Sequence, residues 1–460
     1  MSDIRIAAVD ADWLLARISG RGATDVRDGV AQLIDSGELS VGSQLPTIRE
    51  LARVAGVSVG TIADAWVGLR ELGLIETRRR GGTLVAARAA SVNERPRSDA
   101  AFPGWSRIDL VQTNADVTLQ PELGAALLSS LDARDLNASG RDYMTDRLRA
   151  VVEPGWPFEA EAWTTAGGGT EALLLATAAA APPGSIVAID EPVVPGYLET
   201  LKDLGVTPIG LSSDESGPTV ESLRDALARG AVAFVFQPGG PFALDRSVSE
   251  ERVRELAAAI REHPTPVWVI EDDSIGPLAV QTPPSMGAVI PQQVLRVRSF
   301  CKAYGIDIRT SVLGGSRELV NRSIAERSHG VGSNSRILQN ALAHLIDSPA
   351  AKVNVDNARM RYATRRSILL EELDRVGLSA QSGPESLVVW IEVENETDVL
   401  VALASRGISV GSGRKTFVSR PERGLLRISV TQLPDDRALI AELARIVAGA
   451  VQGSLREYFD

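Results

Sequence analysis

From residue 108 onward, short apolar runs alternate with helical stretches, and that alternation confines the fold more than any single motif does. Pro266-Val267-Trp268-Val269-Ile270 is one such run. It reads as a buried strand, and Glu271-Asp272-Asp273-Ser274 follows it directly. Another run holds Val294, Leu295 and Val297 and leads into Ser299-Phe300-Cys301-Lys302. A glycine turn, Ala166-Gly167-Gly168-Gly169-Thr170-Glu171, opens a long Ala/Leu helix that Pro182-Pro183-Gly184 closes. The pattern predicts an α/β fold over residues 108–460. Ligands in such folds collect beyond the carboxyl ends of strands, where Asp272 and Lys302 both fall.

Residues 10–87 follow a different rule. A helix is predicted over 24–37, with Val26, Val30, Leu33 and Ile34 on one face and Ser36-Gly37 as its stop. Thr47 and Glu50 form a capping box after Pro46 and start a second helix. Ala55-Gly56-Val57 is a tight turn, and Ser58 caps a third helix that buries Ile62, Ala65, Trp66 and Leu69. Two short strands, 74–77 and 83–86, flank Arg78-Arg79-Arg80-Gly81-Gly82. Three helices and a basic-tipped hairpin can set one helix in a major groove and a wing on the phosphates. Residues 88–107 have no sustained apolar period and read as a tether.

This first part resembles the GntR-type winged helix-turn-helix. The likeness rests on Gly42-x-x-Leu45-Pro46-Thr47-x-Arg49-x-Leu51-Ala52, on Gly56-Val57-Ser58-x-x-Thr61, on Leu72-Gly73-Leu74-Ile75 and on Gly81-Gly82-Thr83. The resemblance implies that Arg49, Ser58, Thr61 and the wing residues Arg78, Arg79 and Arg80 face double-stranded DNA. Members often carry arginine where this chain has Val59 and Ala63, so guanine readout by a forked donor is weaker here. Contact with thymine methyls or shape readout has to contribute more. Residues 1–90 balance 11 basic against 11 acidic side chains, so the whole net charge of -11 lies beyond them. A local basic patch can still contact phosphates on an acidic protein.

The second part resembles the fold-type I aminotransferases, which bind pyridoxal 5'-phosphate (PLP). A desolvated lysine at a strand end loses its proton readily and forms a Schiff base with an aldehyde. Lys302 stands in the segment similar to the family's Ser-x-Ser-Lys, and Arg309 follows seven positions later. The resemblance implies that Lys302 holds the cofactor as an aldimine. It implies a phosphate cradle from Gly168, Gly169, Thr170, Ser299 and Arg309, with Tyr143 reaching the partner subunit's phosphate. A glycine turn at a helix N-terminus suits that task. Asp272 matches the aspartate that pairs with the pyridine nitrogen. Arg427, in the strand-like 424–430, matches the arginine that grips a substrate carboxylate.

With the GntR-like head, the whole chain resembles a MocR-type regulator: a transcription factor that binds an operator, forms a homodimer and senses an amine or amino-acid effector. Three positions depart from the family. Val194 stands where an aromatic ring stacks on the pyridine, Gly240 where a polar group meets the cofactor oxygen, and Ser274 where MocR-type proteins carry tyrosine. The segment between Tyr143 and Trp163 is also short for a small-domain helix. Anchoring groups are kept while groups that tune the ring are thinned, which suits sensing better than turnover. Two other readings stay open: an aminotransferase with an accessory DNA-binding domain, and a regulator whose degenerate domain only dimerises or binds another ligand.

Composition agrees with a cytoplasmic protein. There is 1 Cys, so no intrachain disulfide forms. The 3 His lack ligand spacing, which argues against a metal site. No apolar run reaches the length of a membrane span, and the N-terminus lacks a signal-peptide pattern.

Overall fold

Polar caps cut the beginning of the chain into short helices. In the computed structural model Asp10 accepts from the Trp13 amide and starts Ala11–Leu15, a helix the sequence pattern did not reveal. The described residues are 9–35, 38–39, 42–71, 74–78, 82–86, 108–134, 136–138, 143–327, 332–419 and 421–453. Contacts divide the chain into two units, Met1–Ala100 and Ala101–Asp460. The expected tether at 88–107 lies outside the described residues.

In the first unit, Ala23–Asp35 follows the first helix. Thr47 accepts from the Glu50 amide at 3.2 Å and opens Ile48–Ala55, which Gly56 ends in the left-handed conformation. Val59–Glu71 buries Ile62, Ala65, Trp66 and Leu69 among Val26, Val30, Leu33 and Leu51. The expected hairpin forms from Ile75–Arg78 and Gly82–Val85. A third strand of two residues, Gln44–Leu45, pairs with Gly82–Val85. Two residues are too few to show an alternating pattern, so sequence periodicity missed it.

The second unit is built on a seven-stranded sheet. Its spatial order is Ala162–Ala166, Ser311–Gly315, Val294–Ser299, Trp268–Asp273, Ala231–Phe236, Ile186–Asp190 and Thr207–Leu211. Ser311–Gly315 runs against the rest. Central strands such as Ala231–Phe236 are apolar on both faces because both faces are buried. Gly169–Ala180 packs on one face with Leu295, Val297 and Leu313; Glu250–Glu262 covers the other with Phe234 and Val269.

A smaller antiparallel sheet is made by Ala380–Gln381, Val388–Val393, Gly424–Ser429 and Ile408–Ser412, with Ile108–Leu110 added in parallel at its edge. Arg437–Val451 and part of Pro349–Arg375 cover it. The short segment before the glycine turn holds one seven-residue helix, Asp146–Val152. No helix of the described residues is long and apolar enough to cross a membrane.

Candidate functional site

Parallel strands deliver their last residues to one edge, and most of the predicted site residues of the second unit stand there. Trp268–Asp273 runs three residues further than the apolar run suggested, so Glu271, Asp272 and Asp273 are strand residues rather than loop acids. All three are buried. Alternation splits them. Glu271 and Asp273 turn to Arg296 on the neighbouring strand, at 3.0 and 3.1 Å. Asp272 turns the other way. Burial pushes the Asp272 carboxyl up to about 6, against the pull of the nearby Lys302 charge.

Lys302 is the second residue of the helix Cys301–Tyr304, which Phe300 separates from the strand Val294–Ser299. Its Nζ donates to the Ser274 carbonyl at 3.1 Å. Ser274 follows the Asp272 strand, so one hydrogen bond ties the lysine to the carboxylate's loop. Ser299 is buried, with Oγ 3.3 Å from Cys301 Sγ.

The glycine turn sits against that serine. Gly168 caps Gly169–Ala180 at φ 143, with no side chain satisfying the first amides. A Cβ added at Gly169 would stand 3.2 Å from Ser299 Oγ. Backbone amides, the positive helix end and a hydroxyl therefore share one corner, and Thr170 there is exposed. Ser311 stands opposite Ser299 across the sheet, buried, its Oγ without a partner. Arg309 is exposed in the left-handed conformation and has no side-chain partner among the described residues. Tyr143 is half-buried and held by its carbonyl, which accepts from Thr165 Oγ1 at 2.8 Å.

Arg427 lies in Gly424–Ser429 between two other strands, so it is not an edge-strand arginine. It is 2% exposed. Its Nη2 donates to the Val111 carbonyl at 3.1 Å, its guanidinium carbon lies 5.3 Å from the Phe242 ring centroid, and Nε has no partner. Among the described residues no carboxylate pairs with it. Burial alone lowers its pKa to about 10, so it stays charged at neutral pH. Gly411 faces it across the register; a Cβ there would be 2.6 Å from Nη2.

Sequence reasoning missed Phe242 and Gly411, because neither belongs to a motif and both matter only through Arg427. It also left Tyr197 without a place. Tyr197 is buried, and its hydroxyl bonds with Thr177 Oγ1 at 2.6 Å, so it packs inside the core under the helix Gly169–Ala180. Val194 at the expected ring position is half-buried against that same core. Glu191, beside it, accepts from the Val418 amide and is pushed up to about 7 by burial.

In the first unit, Ser58 Oγ accepts from the Thr61 amide at 3.1 Å and meets Thr61 Oγ1 at 2.8 Å. Arg49 is exposed at the start of Ile48–Ala55. Arg78 ends the strand Ile75–Arg78; its side chain, with Arg79 and Arg80, lies outside the described residues.

Comparison with known families agrees with both halves. Residues 128–443, more than half of the chain, match aminotransferase class I and II. The chain belongs to that family. Residues 23–85 match the bacterial regulatory proteins of the gntR family, a head that implies DNA binding. The two together are the arrangement of MocR-type regulators. The vitamin B6 salvage pathway transcriptional repressor PtsJ of Salmonella typhimurium is 26% identical over 91% of this chain and 96% of its own. The uncharacterized HTH-type transcriptional regulator YjiR of Escherichia coli is 24% identical over 87% of this chain and 93% of its own. Kynurenine aminotransferase of Pyrococcus horikoshii shares the fold, with a TM-score of 0.67, 17% identity, and coverage of 76% of this chain and 91% of that one. Class I and II aminotransferases are in general PLP-dependent proteins, and aminotransferase-like domains commonly dimerise.

Proposed function

We propose that this MocR-type transcriptional regulator holds PLP at the sheet edge through Lys302 and senses an amine or amino-acid effector there. The observation that carries the reading is Arg427. A buried guanidinium without an acid partner is costly, and an incoming carboxylate would satisfy its free Nε. The remaining residues fit the cofactor. The uncapped helix start at Gly168, Gly169 and Thr170, with Ser299 and Arg309, suits a phosphate. Asp272 suits a protonated ring nitrogen, which would offset the burial that now raises its pKa. Bound there, PLP supplies an aldehyde that amines engage reversibly.

Lys302 is already oriented by the Ser274 carbonyl. An effector amine competes with its amine, the effector carboxylate binds Arg427, and the change in occupancy biases DNA binding. The chain acts as a cytoplasmic homodimer, with Tyr143 reaching the partner's phosphate and Arg49, Ser58, Thr61 and the wing arginines on the operator. Val194 and Gly240 leave out ring-tuning contacts, which supports sensing over sustained transamination.

The test is the absorbance spectrum of the purified chain after PLP addition and desalting, beside Lys302→Ala. A retained band at roughly 400–430 nm, characteristic of lysine-bound PLP, that the variant lacks and that amino acids shift, is the expected result. No retained band in the unmodified chain would leave a regulator with a repurposed dimerisation domain. Steady turnover of an amino donor would instead favour an aminotransferase.

A further inference from the structure

The recognition helix Val59–Glu71 turns an unusual face to solvent. Its buried stripe is Ile62, Ala65, Trp66 and Leu69. Gly60, Asp64 and Val67 lie on the opposite side, Ala63 is half-buried, and Val59 is exposed at the helix start. Val59 is 51% exposed and Val67 42% exposed, so neither belongs to the core. No lysine or arginine occurs from Ser58 to Leu69; the first is Arg70, in the last turn. Asp64 has no side-chain partner among the described residues. Exposed cations occur instead at Arg49 and Arg53 on the preceding helix and at Arg70 in the last turn.

Cations around a face can position it on phosphates, while the face itself reads bases. Guanine presents only acceptors in the major groove and calls for a donor. The nearby hydroxyl donors are Ser58 and Thr61; their mutual bond uses one of the two protons, and neither offers guanine the forked pair of donors that an arginine does. A carboxylate only accepts, so it needs a base amino group. Cytosine offers one without the adjacent N7 acceptor that makes adenine repel a carboxylate. Exposed valine side chains match the thymine methyl, the one apolar group at the groove floor. At Gly60 an added Cβ would meet only Ser58 Oγ, at 3.5 Å, and the missing side chain lets the backbone approach closely. Val59 and Val67 are about 12 Å apart along the axis, a span of three to four base pairs.

We infer that this helix specifies its half-site through thymine methyls at Val59 and Val67 and a cytosine amino group at Asp64, rather than through guanine. The inference rests on the head binding DNA. It extends that reading from binding to sequence choice.

The test uses the full chain and a random duplex pool. Duplexes are enriched by repeated binding, and the selected half-site is then altered atom by atom. Replacing a contacted thymine with deoxyuridine removes only the methyl. Affinity is expected to fall about fourfold, the worth of one methyl group withdrawn from water. The same replacement has no effect on Val59→Ala or Val67→Ala at the position each reads. A cytosine analogue lacking the 4-amino group is expected to cost the unmodified chain about tenfold and Asp64→Ala nothing further. All three side chains are exposed, and an unchanged melting temperature with equal binding to unselected DNA at low salt verifies folding. Deoxyuridine and the amine-less analogue leaving affinity unchanged, or lowering it equally in the variants, would overturn the inference while DNA binding stands. Failure to enrich any duplex would remove DNA binding itself, and the inference with it.

Discussion

Two of the buried arginines of the second unit, Arg296 and Arg427, have opposite surroundings. Arg296 lies in the large sheet at 0% exposure, bonded to Glu271 and Asp273 and to the Pro283 carbonyl. Burial raises Asp273, yet Arg296 and Arg298 together outweigh it and hold that carboxyl below its ordinary value. Arg427 in the small sheet is also buried but, among the described residues, has one carbonyl, one aromatic ring and no acid. The first arginine closes a network within the protein. The second leaves a valence open, and an open valence in a dry place is what a ligand can use.

The largest expected effect comes from breaking the closed network. Arg296→Met leaves buried Glu271 without its cation and Asp273 with Arg298 alone, and should cost about 3–5 kcal/mol, read by urea unfolding. The matching change at the open site, Arg427→Leu, removes a buried cation that nothing pairs. Stability should move by less than about 1 kcal/mol, while amino-acid-induced spectral shifts disappear and PLP retention persists. Equal losses of stability would erase the distinction between the two arginines.

Gly411→Ala sharpens it more finely. The added methyl displaces the Arg427 guanidinium without touching its charge. Amino-acid affinity should drop roughly tenfold, one misaligned charge-assisted pair, whereas simple amines without a carboxylate should bind as before. Titration of both ligand classes by absorbance separates the outcomes.

The smallest effect is a slope. Asp272 is raised to about 6 from 3.8. Over that interval the folded, cofactor-free chain holds more protons than the unfolded one, so stability falls as pH rises from about 4 to 6. Asp272→Asn should flatten this dependence in unfolding midpoints taken across that range. An unchanged slope would mean that Asp272 is no more buried than a surface acid.

Much of this was legible because it lies in local order. The caps at Thr47 and Ser58, the buried stripe of Val59–Glu71 and the glycine turn before Gly169–Ala180 are set by neighbours within a few residues. Lys302, Asp272 and Arg427 were recognisable as residue types at strand ends or within strands. Less legible was which way each strand residue turned. Glu271-Asp272-Asp273 does not show by itself that it continues the strand, because burying three carboxylates is prohibitive until Arg296 and Arg298, more than 20 residues away, supply the countercharge. Tyr197 lies three positions after Val194 with nothing in the sequence to place it, and only the packing of Gly169–Ala180 over it shows a core tyrosine bonded to Thr177.

By itself, then, the sequence determined the two-part organisation, the element types and the chemically able side chains, since capping, periodicity and residue chemistry act over short separations. Tertiary structure alone decided which charges meet. It brought Val111, 316 positions away in the chain, and Phe242 against Arg427, and set Gly411 opposite it on the neighbouring strand. Among the described residues it gave that guanidinium no acid. Electrostatic partnership depends on distance through space and on exclusion of water, and neither is written in the order of the residues.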